Sequence, residues 1–185
     1  MRAAYIERTG GPDAITIGEL PKPEPVGSQV LVKVGAVSLN PVDTYIRSGS
    51  IPAELPKPFV IGCDLAGTVE AIGPDVKRLS PGDRVWGSNQ GLLGRQGTFA
   101  EYAAVDECWL HPTPEGIDDQ QAAAIALVGI TAHLGLFRQA ELQPRETVFV
   151  HGGSGGVGSC VIQMARNVST RVITTARTPE KAQIC

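Results

Sequence analysis

The segment from residue 151 to residue 158, His-Gly-Gly-Ser-Gly-Gly-Val-Gly, constrains the fold of this chain more than any other. From its third residue onward it matches the pattern G-x-G-x-x-G. The apolar run TVFV at 147–150 precedes it, a helix-like run follows at 156–167, and RVITT comes next at 171–175. Strand, glycine turn, helix and strand in this order predict a βαβ unit with a parallel sheet. The turn is therefore expected to bind the pyrophosphate of a dinucleotide.

Each glycine of the pattern has its own expected role. Gly153 permits the tight turn, Gly155 lets the pyrophosphate approach the backbone, and Gly158 allows the helix to pack closely on the strand. The N–H groups and the positive dipole end of the helix attract phosphates. The alternative is a glycine-rich loop without a ligand, which the surrounding strand–helix–strand order disfavours. The predicted cofactor contacts in the turn are Gly153, Ser154, Gly155, Gly156, Val157 and Gly158.

The residues after the second strand of this unit decide which dinucleotide is bound. An NAD site usually has Asp or Glu there, to bond the ribose 2′-hydroxyl. This chain has Thr-Thr-Ala-Arg-Thr at 174–178 and no acidic residue until Glu180. Arg177 and Lys181 are suited to a 2′-phosphate, and guanidinium binds phosphate well. The alternative is that both are ordinary solvated charges; NADPH is the predicted cofactor.

The chain before this unit is broken by glycine and proline into short runs rich in Val, Ile, Thr and aromatic residues. Many short strands with turn signals between them predict an all-β, barrel-like domain. The predicted strands are Arg2–Arg8, Ile15–Leu20, Val30–Ser38, Gly67–Ile72, Arg84–Trp86 and Thr98–Val105.

A long apolar helix is predicted to follow the barrel-like part. Asp118 is expected to cap it, with Gln121 completing a capping box. Pro179 is placed to start a later helix. The fold class is therefore α/β overall, with one domain over residues 1–120 and the first part of a dinucleotide-binding domain over residues 121–185.

Bulk properties narrow the function classes. The 185 residues carry a net charge of −3 without a basic run, so no nucleic-acid partner is expected. The cysteines show no CxxC spacing, which disfavours a zinc site and a disulfide framework. The sequence predicts no apolar stretch long enough to span a membrane, so a cytoplasmic protein without a membrane partner is expected. A doubly wound domain has six strands, and two predicted here indicate a fragment of a longer protein.

Three segments resemble the medium-chain dehydrogenase/reductase superfamily, and within it the zinc-free quinone oxidoreductases of the zeta-crystallin group. They are LNPVDTYIRSG at 39–49, IGCDLAGTVEAIG at 61–73 followed by PGDRV at 81–85, and the glycine turn after Val150. The resemblance implies a GroES-like β-barrel catalytic domain followed by a Rossmann domain, with the active site between them. It also implies that the rest of the Rossmann domain is absent, and that the full-length protein is a homodimer.

The same resemblance indicates that no metal is bound. Alcohol dehydrogenases of the superfamily place a Cys in the first segment and a His-Glu pair in the second. This chain has no Cys in the first segment and Cys63-Asp64 in the second. Because tetrahedral zinc needs several N or S ligands within reach, no metal is predicted.

Without a Lewis acid, a conjugated acceptor is the expected substrate, because hydride addition to it gives a delocalised anion. Quinones and other α,β-unsaturated carbonyl compounds fit this requirement. The resemblance places Asn40 and Tyr45 at the catalytic site, with Asn40 holding the acceptor oxygen and Tyr45 donating a proton or contacting the nicotinamide ribose. It also places Thr131 near the nicotinamide.

These three residues also have structural alternatives. Asn40 before Pro41 can shape a turn, Tyr45 can be a half-buried aromatic, and Thr131 can bond to its own helix. Asp43 and Arg47 are expected to form a local ion pair. A different class of function is also open, a non-catalytic NADPH-binding protein that is crystallin-like or associated with nucleic acid.

Overall fold

The computed structural model describes all residues from Met1 to Cys185, and it divides into two compact units. The first unit is Met1–Leu127 and the second is Val128–Cys185. Each unit is described by itself below.

The first unit contains two antiparallel sheets, as the short predicted strands indicated. The strands are β1 Arg2–Ile6, β2 Thr16–Glu19, β3 Gln29–Ser38, β4 Phe59–Val60, β5 Asp64–Ile72, β6 Arg84–Gly87, β7 Tyr102–Asp106 and β8 Leu110–Pro112. All six predicted strands are present, with ends that differ by up to four residues. The larger sheet has five strands in the order β7-β3-β5-β6-β8, and the smaller has three in the order β2-β1-β4.

The largest cluster of buried hydrophobic residues in this unit packs on the five-stranded sheet, and a smaller one contains Ile6, Ile46, Phe59 and Ile61. Alternate residues of β7 are buried, as expected for a strand with one face on a core. Short 3₁₀ helices at Pro12–Ala14 and Glu107–Trp109 connect the strands. The largest cluster consists of Val30, Val32, Leu65, Val69, Leu79, Val85, Ala103, Val105 and Leu110.

Helix α1, Pro41–Ser48, was not predicted from the sequence. Its signals are nevertheless present. Asn40 is the N-cap in an extended conformation, Pro41 occupies the first turn, and Gly49 ends the helix with φ of 80°. Proline at a helix start and glycine in the left-handed conformation at its end are the usual boundaries of a short helix. The Asn-Pro pair therefore starts a helix rather than an isolated turn.

Helix α2, Asp119–His133, continues as a π-helix over Leu134–Gln139. The predicted capping box is confirmed, because the Gln121 N–H donates to Asp118 Oδ1 at 2.7 Å and the Asp118 N–H donates to Gln121 Oε1 at 3.1 Å. The expectation that no apolar stretch is long enough to span a membrane is wrong. Residues Asp119–Gln139 have the length and composition to do so, as the core helices of soluble proteins can also have.

Replacing Asp118 by alanine tests the capping box. The variant loses one side-chain acceptor at the helix start, so we expect the free energy of unfolding to fall by about 1 kcal/mol. Chemical denaturation followed by circular dichroism measures the change. The matched control is Glu115→Ala, at an exposed acidic residue three positions earlier; equal stability of the two variants would contradict the role of the cap.

The second unit contains the predicted βαβ arrangement. Strand β9, Thr147–Val150, and strand β10, Arg171–Thr174, pair in parallel, and helix α3, Gly156–Asn167, connects them. A last helix, α4 Pro179–Ile184, begins at the predicted proline. Phe149 and Ile173 are register partners, yet they are 63% and 43% exposed. One face of this two-stranded sheet is therefore open and apolar.

Candidate functional site

The glycine turn is held against the end of β10 by two threonines. The Gly152 N–H donates to Thr175 Oγ1 at 3.0 Å, and the Gly153 N–H donates to Thr174 Oγ1 at 3.1 Å. The Thr174 hydroxyl in turn donates to the Val150 carbonyl at 2.8 Å. These bonds occupy side chains at the position where an NAD site has an acidic residue. The two threonines thus fix the shape of the turn.

Two glycines of the turn are required by its geometry. Gly152 has φ of 73°, so the left-handed conformation falls one residue before the position where the sequence pattern placed the tight turn. Gly153 is instead buried against Ile162 and Thr174. At Gly158 a Cβ would lie 2.8 Å from the Gly153 Cα and closer still to the Gly152 carbonyl oxygen. Helix α3 therefore packs directly on the turn backbone.

The N-terminus of α3 is open to an anionic ligand. Its N-cap is Gly155, in an extended conformation, and no side chain caps the first turn. Gly155, Gly156 and Val157 are exposed, and Ser154 is half-buried beside them. Uncapped N–H groups and the positive end of the dipole favour a phosphate at this point. The residues present fit the pyrophosphate of a dinucleotide.

The two basic residues after β10 are exposed. Neither Arg177 nor Lys181 has a carboxylate within ion-pair distance. Thr178 caps α4 and accepts the Lys181 N–H at 3.4 Å, which places Arg177 immediately before the helix start. A cation before a helix N-terminus opposes the dipole, so the local structure does not explain the charge of Arg177. Thr131, the other predicted cofactor contact of this unit, is an exposed residue of α2.

The two predicted catalytic residues have different environments in the first unit. Tyr45 lies on α1 and is 51% exposed. Asn40 is only 4% exposed, and its side-chain amide donates to Asp64 Oδ2 at 2.8 Å. The predicted ion pair between Asp43 and Arg47 is wrong. The Asn40 N–H donates to Asp43 Oδ2 at 2.7 Å, and Arg47 donates to the Gly10 carbonyl at 3.1 Å.

A buried polar cluster around Asn40 was missed in the sequence. It consists of Asn40, Asp43, Cys63, Asp64 and Ser88, all less than 5% exposed. Neither carboxylate has a cation within ion-pair distance, and one oxygen of each makes no hydrogen bond. The sequence signal for this cluster was Asp64 within the apolar run IGCDLAG. Acidic residues are rarely buried, so an acid in such a run indicates polar partners in the core.

Burial determines the ionisation of this cluster. Desolvation raises the pKa of Asp43 and of Asp64, against the hydrogen bonds that Asn40 supplies to both. Burial, reinforced by the two neighbouring carboxylates, also raises the pKa of Cys63 far above its ordinary value. Cys63 is therefore a thiol at neutral pH, and a thiol is a poor metal ligand and a poor nucleophile.

Known proteins resemble both the sequence and the fold. A profile of the alcohol dehydrogenase GroES-like domain matches residues 27–115. Human quinone oxidoreductase is 38% identical over 185 residues, covering 100% of this chain and 55% of that protein. Mycobacterial Rv1454c complexed with NADPH has a TM-score of 0.89 at 38% identity, covering 100% of this chain and 55% of that one. Escherichia coli quinone oxidoreductase complexed with NADPH has a TM-score of 0.89 at 30% identity, covering 99% and 55%.

Residues 27–115 match the alcohol dehydrogenase GroES-like domain, and the whole chain is similar in sequence and fold to quinone oxidoreductases and to an alcohol dehydrogenase superfamily protein. This similarity agrees with the resemblance of its motifs to the medium-chain dehydrogenase/reductase superfamily. The predicted fold class is confirmed. The chain spans about half the length of the curated relatives it matches.

Proposed function

We propose that this protein is an NADPH-dependent, zinc-independent reductase of quinones or other α,β-unsaturated carbonyl compounds. The observation that carries the proposal is the turn at 151–158. The N-terminus of α3 has no capping side chain there, and the turn backbone leaves no room for a Cβ at Gly158. Two proteins of similar fold, mycobacterial Rv1454c and Escherichia coli quinone oxidoreductase, have structures complexed with NADPH. The substrate partner is accordingly a small molecule, and we place the protein in the cytoplasm.

The preference for NADPH rests on the residues that follow β10. Thr174 and Thr175 are engaged with the turn, and no acidic side chain is available there for a ribose 2′-hydroxyl. Arg177 and Lys181 are cations without carboxylate partners. A 2′-phosphate gives both of them a counter-charge, and a charge-assisted bond to Arg is among the stronger hydrogen bonds in proteins.

The chemistry assigned to the protein is hydride transfer, for which a bound nicotinamide supplies the hydride. The exposed Tyr45 hydroxyl is assigned to the oxygen of the acceptor, where it donates the proton that completes reduction. Asn40, predicted at the same site, is assigned a positioning role there, because its amide is buried and bonded to Asp64. Thr131 is assigned to the nicotinamide side. A conjugated acceptor suits this set because the anion formed by hydride addition is delocalised and needs no metal.

Zinc independence is supported by the donor set in the first unit. No group of three or more His, Cys, Asp or Glu side chains is arranged to hold a metal ion. Cys63 is the free cysteine in the cluster, and it is a buried thiol without a second sulfur or imidazole beside it. Structural and catalytic zinc sites need at least three such ligands.

Turnover of NADPH with 9,10-phenanthrenequinone tests the proposed function. We expect oxidation of NADPH at 340 nm that is unchanged by a chelator such as 1,10-phenanthroline. Tyr45→Phe is expected to lower kcat by about 10²-fold or more, the usual contribution of a general acid. Tyr5→Phe, on strand β1 of the same unit, is the matched control and should retain activity. Absence of turnover would refute the assignment as a reductase. Loss of turnover on addition of the chelator would refute the zinc-independent assignment.

A further inference from the structure

We propose that Asp64 is a positioning residue for the reductase reaction, because it holds Asn40 and, through Asn40, the helix that carries Tyr45. The inference rests on the proposed function, since Tyr45 affects turnover only if the protein reduces such acceptors. Asp64 is itself 1% exposed and has no path to a substrate. Asp64 can therefore affect the reaction only through the residues that it contacts.

Asp64 connects three elements of the first unit. Its Oδ2 accepts the Asn40 side-chain amide at 2.8 Å and the Leu127 N–H of α2 at 3.2 Å. Its backbone carbonyl accepts the buried Thr98 hydroxyl at 2.8 Å. Strand β5, the start of α1 and the backbone of α2 thus meet at one carboxylate. Removing it leaves the Asn40 side chain with only its longer bond to the Ser38 carbonyl, at 3.5 Å.

A carboxylate is suited to this task because it only accepts hydrogen bonds. The Asn40 amide must therefore present its nitrogen to Asp64, and the amide is prevented from rotating by half a turn. A buried carboxylate without a cation is costly, and Asp64 and Ser88 each keep a buried oxygen without a hydrogen bond. An apolar residue would serve packing at lower cost, so the fold alone does not explain the acid.

The contact between Asn40 and Asp64 controls where Tyr45 lies. Asn40 is the N-cap of α1, a helix of eight residues, and Ile46 anchors the same helix in the core with 2% exposure. Tyr45, next to Ile46 on the same helix, is 51% exposed. A helix this short turns or shifts when its N-cap is released. A displacement of about 1 Å is enough to lower a rate by about 10²-fold.

Exchanging the donor and the acceptor tests the proposal. Asn40→Asp replaces the hydrogen bond by repulsion between two carboxylates at positions 40 and 64. We therefore expect kcat to fall by about tenfold or more, while KM for NADPH changes less than about twofold. The double variant Asn40→Asp with Asp64→Asn restores the bond with its direction reversed, and we expect it to recover most of the lost kcat. Asp64→Asn alone keeps an acceptor for Asn40 and should lose less than Asn40→Asp.

The matched control is Asp83→Asn, at an exposed carboxylate of the same unit that accepts the Ser80 N–H at 2.8 Å. It should behave as the unmodified protein. Failure of the double variant to recover kcat, with a melting temperature equal to that of the unmodified protein, would overturn the proposal. If Asn40→Asp does not fold, Asn40→Ser keeps an N-cap without the amide, and the same loss of kcat is expected.

Hydrogen exchange separates this proposal from the proposed function. The backbone amides of α1 should exchange faster in Asn40→Asp and return to slow exchange in the double variant. If the unmodified protein turns over no quinone or enone, the proposed function fails, and this exchange pattern still supports the Asp64–Asn40 link. Exchange that is the same in all variants would overturn the link, whatever the activity.

Discussion

Replacing Gly158 by valine is expected to abolish NADPH binding. The Cβ of any larger residue would lie 2.8 Å from the Gly153 Cα and 3.0 Å from the Gly152 carbonyl carbon, so either the turn or helix α3 must move. The atoms in its way are backbone and cannot rotate aside. Overpacking of this kind costs about 1–3 kcal/mol of stability. Because the displaced backbone is the proposed pyrophosphate site, we expect affinity to fall by at least about 10²-fold.

Fluorescence titration with NADPH and the ligand-induced rise in melting temperature measure the two effects of this variant separately. The matched control is Gly135→Ala in the same unit, where an added Cβ meets no atom within 4 Å. That variant should fold and bind NADPH as before. Binding of NADPH by Gly158→Val with its affinity unchanged would show that the pyrophosphate does not lie on this turn.

Arg177→Ala is expected to remove the preference for NADPH over NADH. The side chain is exposed and has no carboxylate partner, so its loss should cost the folded protein little. A hydrogen bond to a charged group is worth about 1.5–3 kcal/mol, which corresponds to a loss of NADPH affinity of about 10- to 150-fold. The affinity for NADH, which lacks the 2′-phosphate, should not change.

Isothermal titration with both dinucleotides measures this selectivity. Lys181→Ala should show the same direction with a smaller effect, because Lys binds phosphate as a point charge rather than in a two-bond geometry. Arg171→Ala, at an exposed arginine on strand β10, is the matched control and should retain selectivity. Equal affinities of Arg177→Ala and the unmodified protein for NADPH would remove the basis for the 2′-phosphate assignment.

Elements defined by residues close in sequence were predicted well. Strand β9, helix α3 and the start of α4 have the predicted bounds. Both residues of the α2 capping box were predicted, because its donor and acceptor lie three residues apart. Helix α1 had equally local signals and was missed, because the Asn-Pro pair was considered only as a catalytic residue or, alternatively, as a turn.

The start of strand β5 was predicted three residues late, at Gly67 rather than Asp64. Aspartate is depleted in strands, so a local pattern excludes it. It is accommodated here because its side chain is bonded to Asn40, 24 residues away, and to Leu127, 63 residues away. Neither partner is visible from the neighbouring residues.

The sequence by itself determined the βαβ unit, its glycine turn and the absence of an acid after the second strand. Each of these depends on residues within a few positions of one another, where backbone geometry and side-chain size suffice. Only the tertiary structure decided that Asn40 is buried on Asp64 while Tyr45 stays exposed. Which polar groups meet in a core depends on strands and helices brought together from distant positions, and hydrogen-bond partners follow from that arrangement.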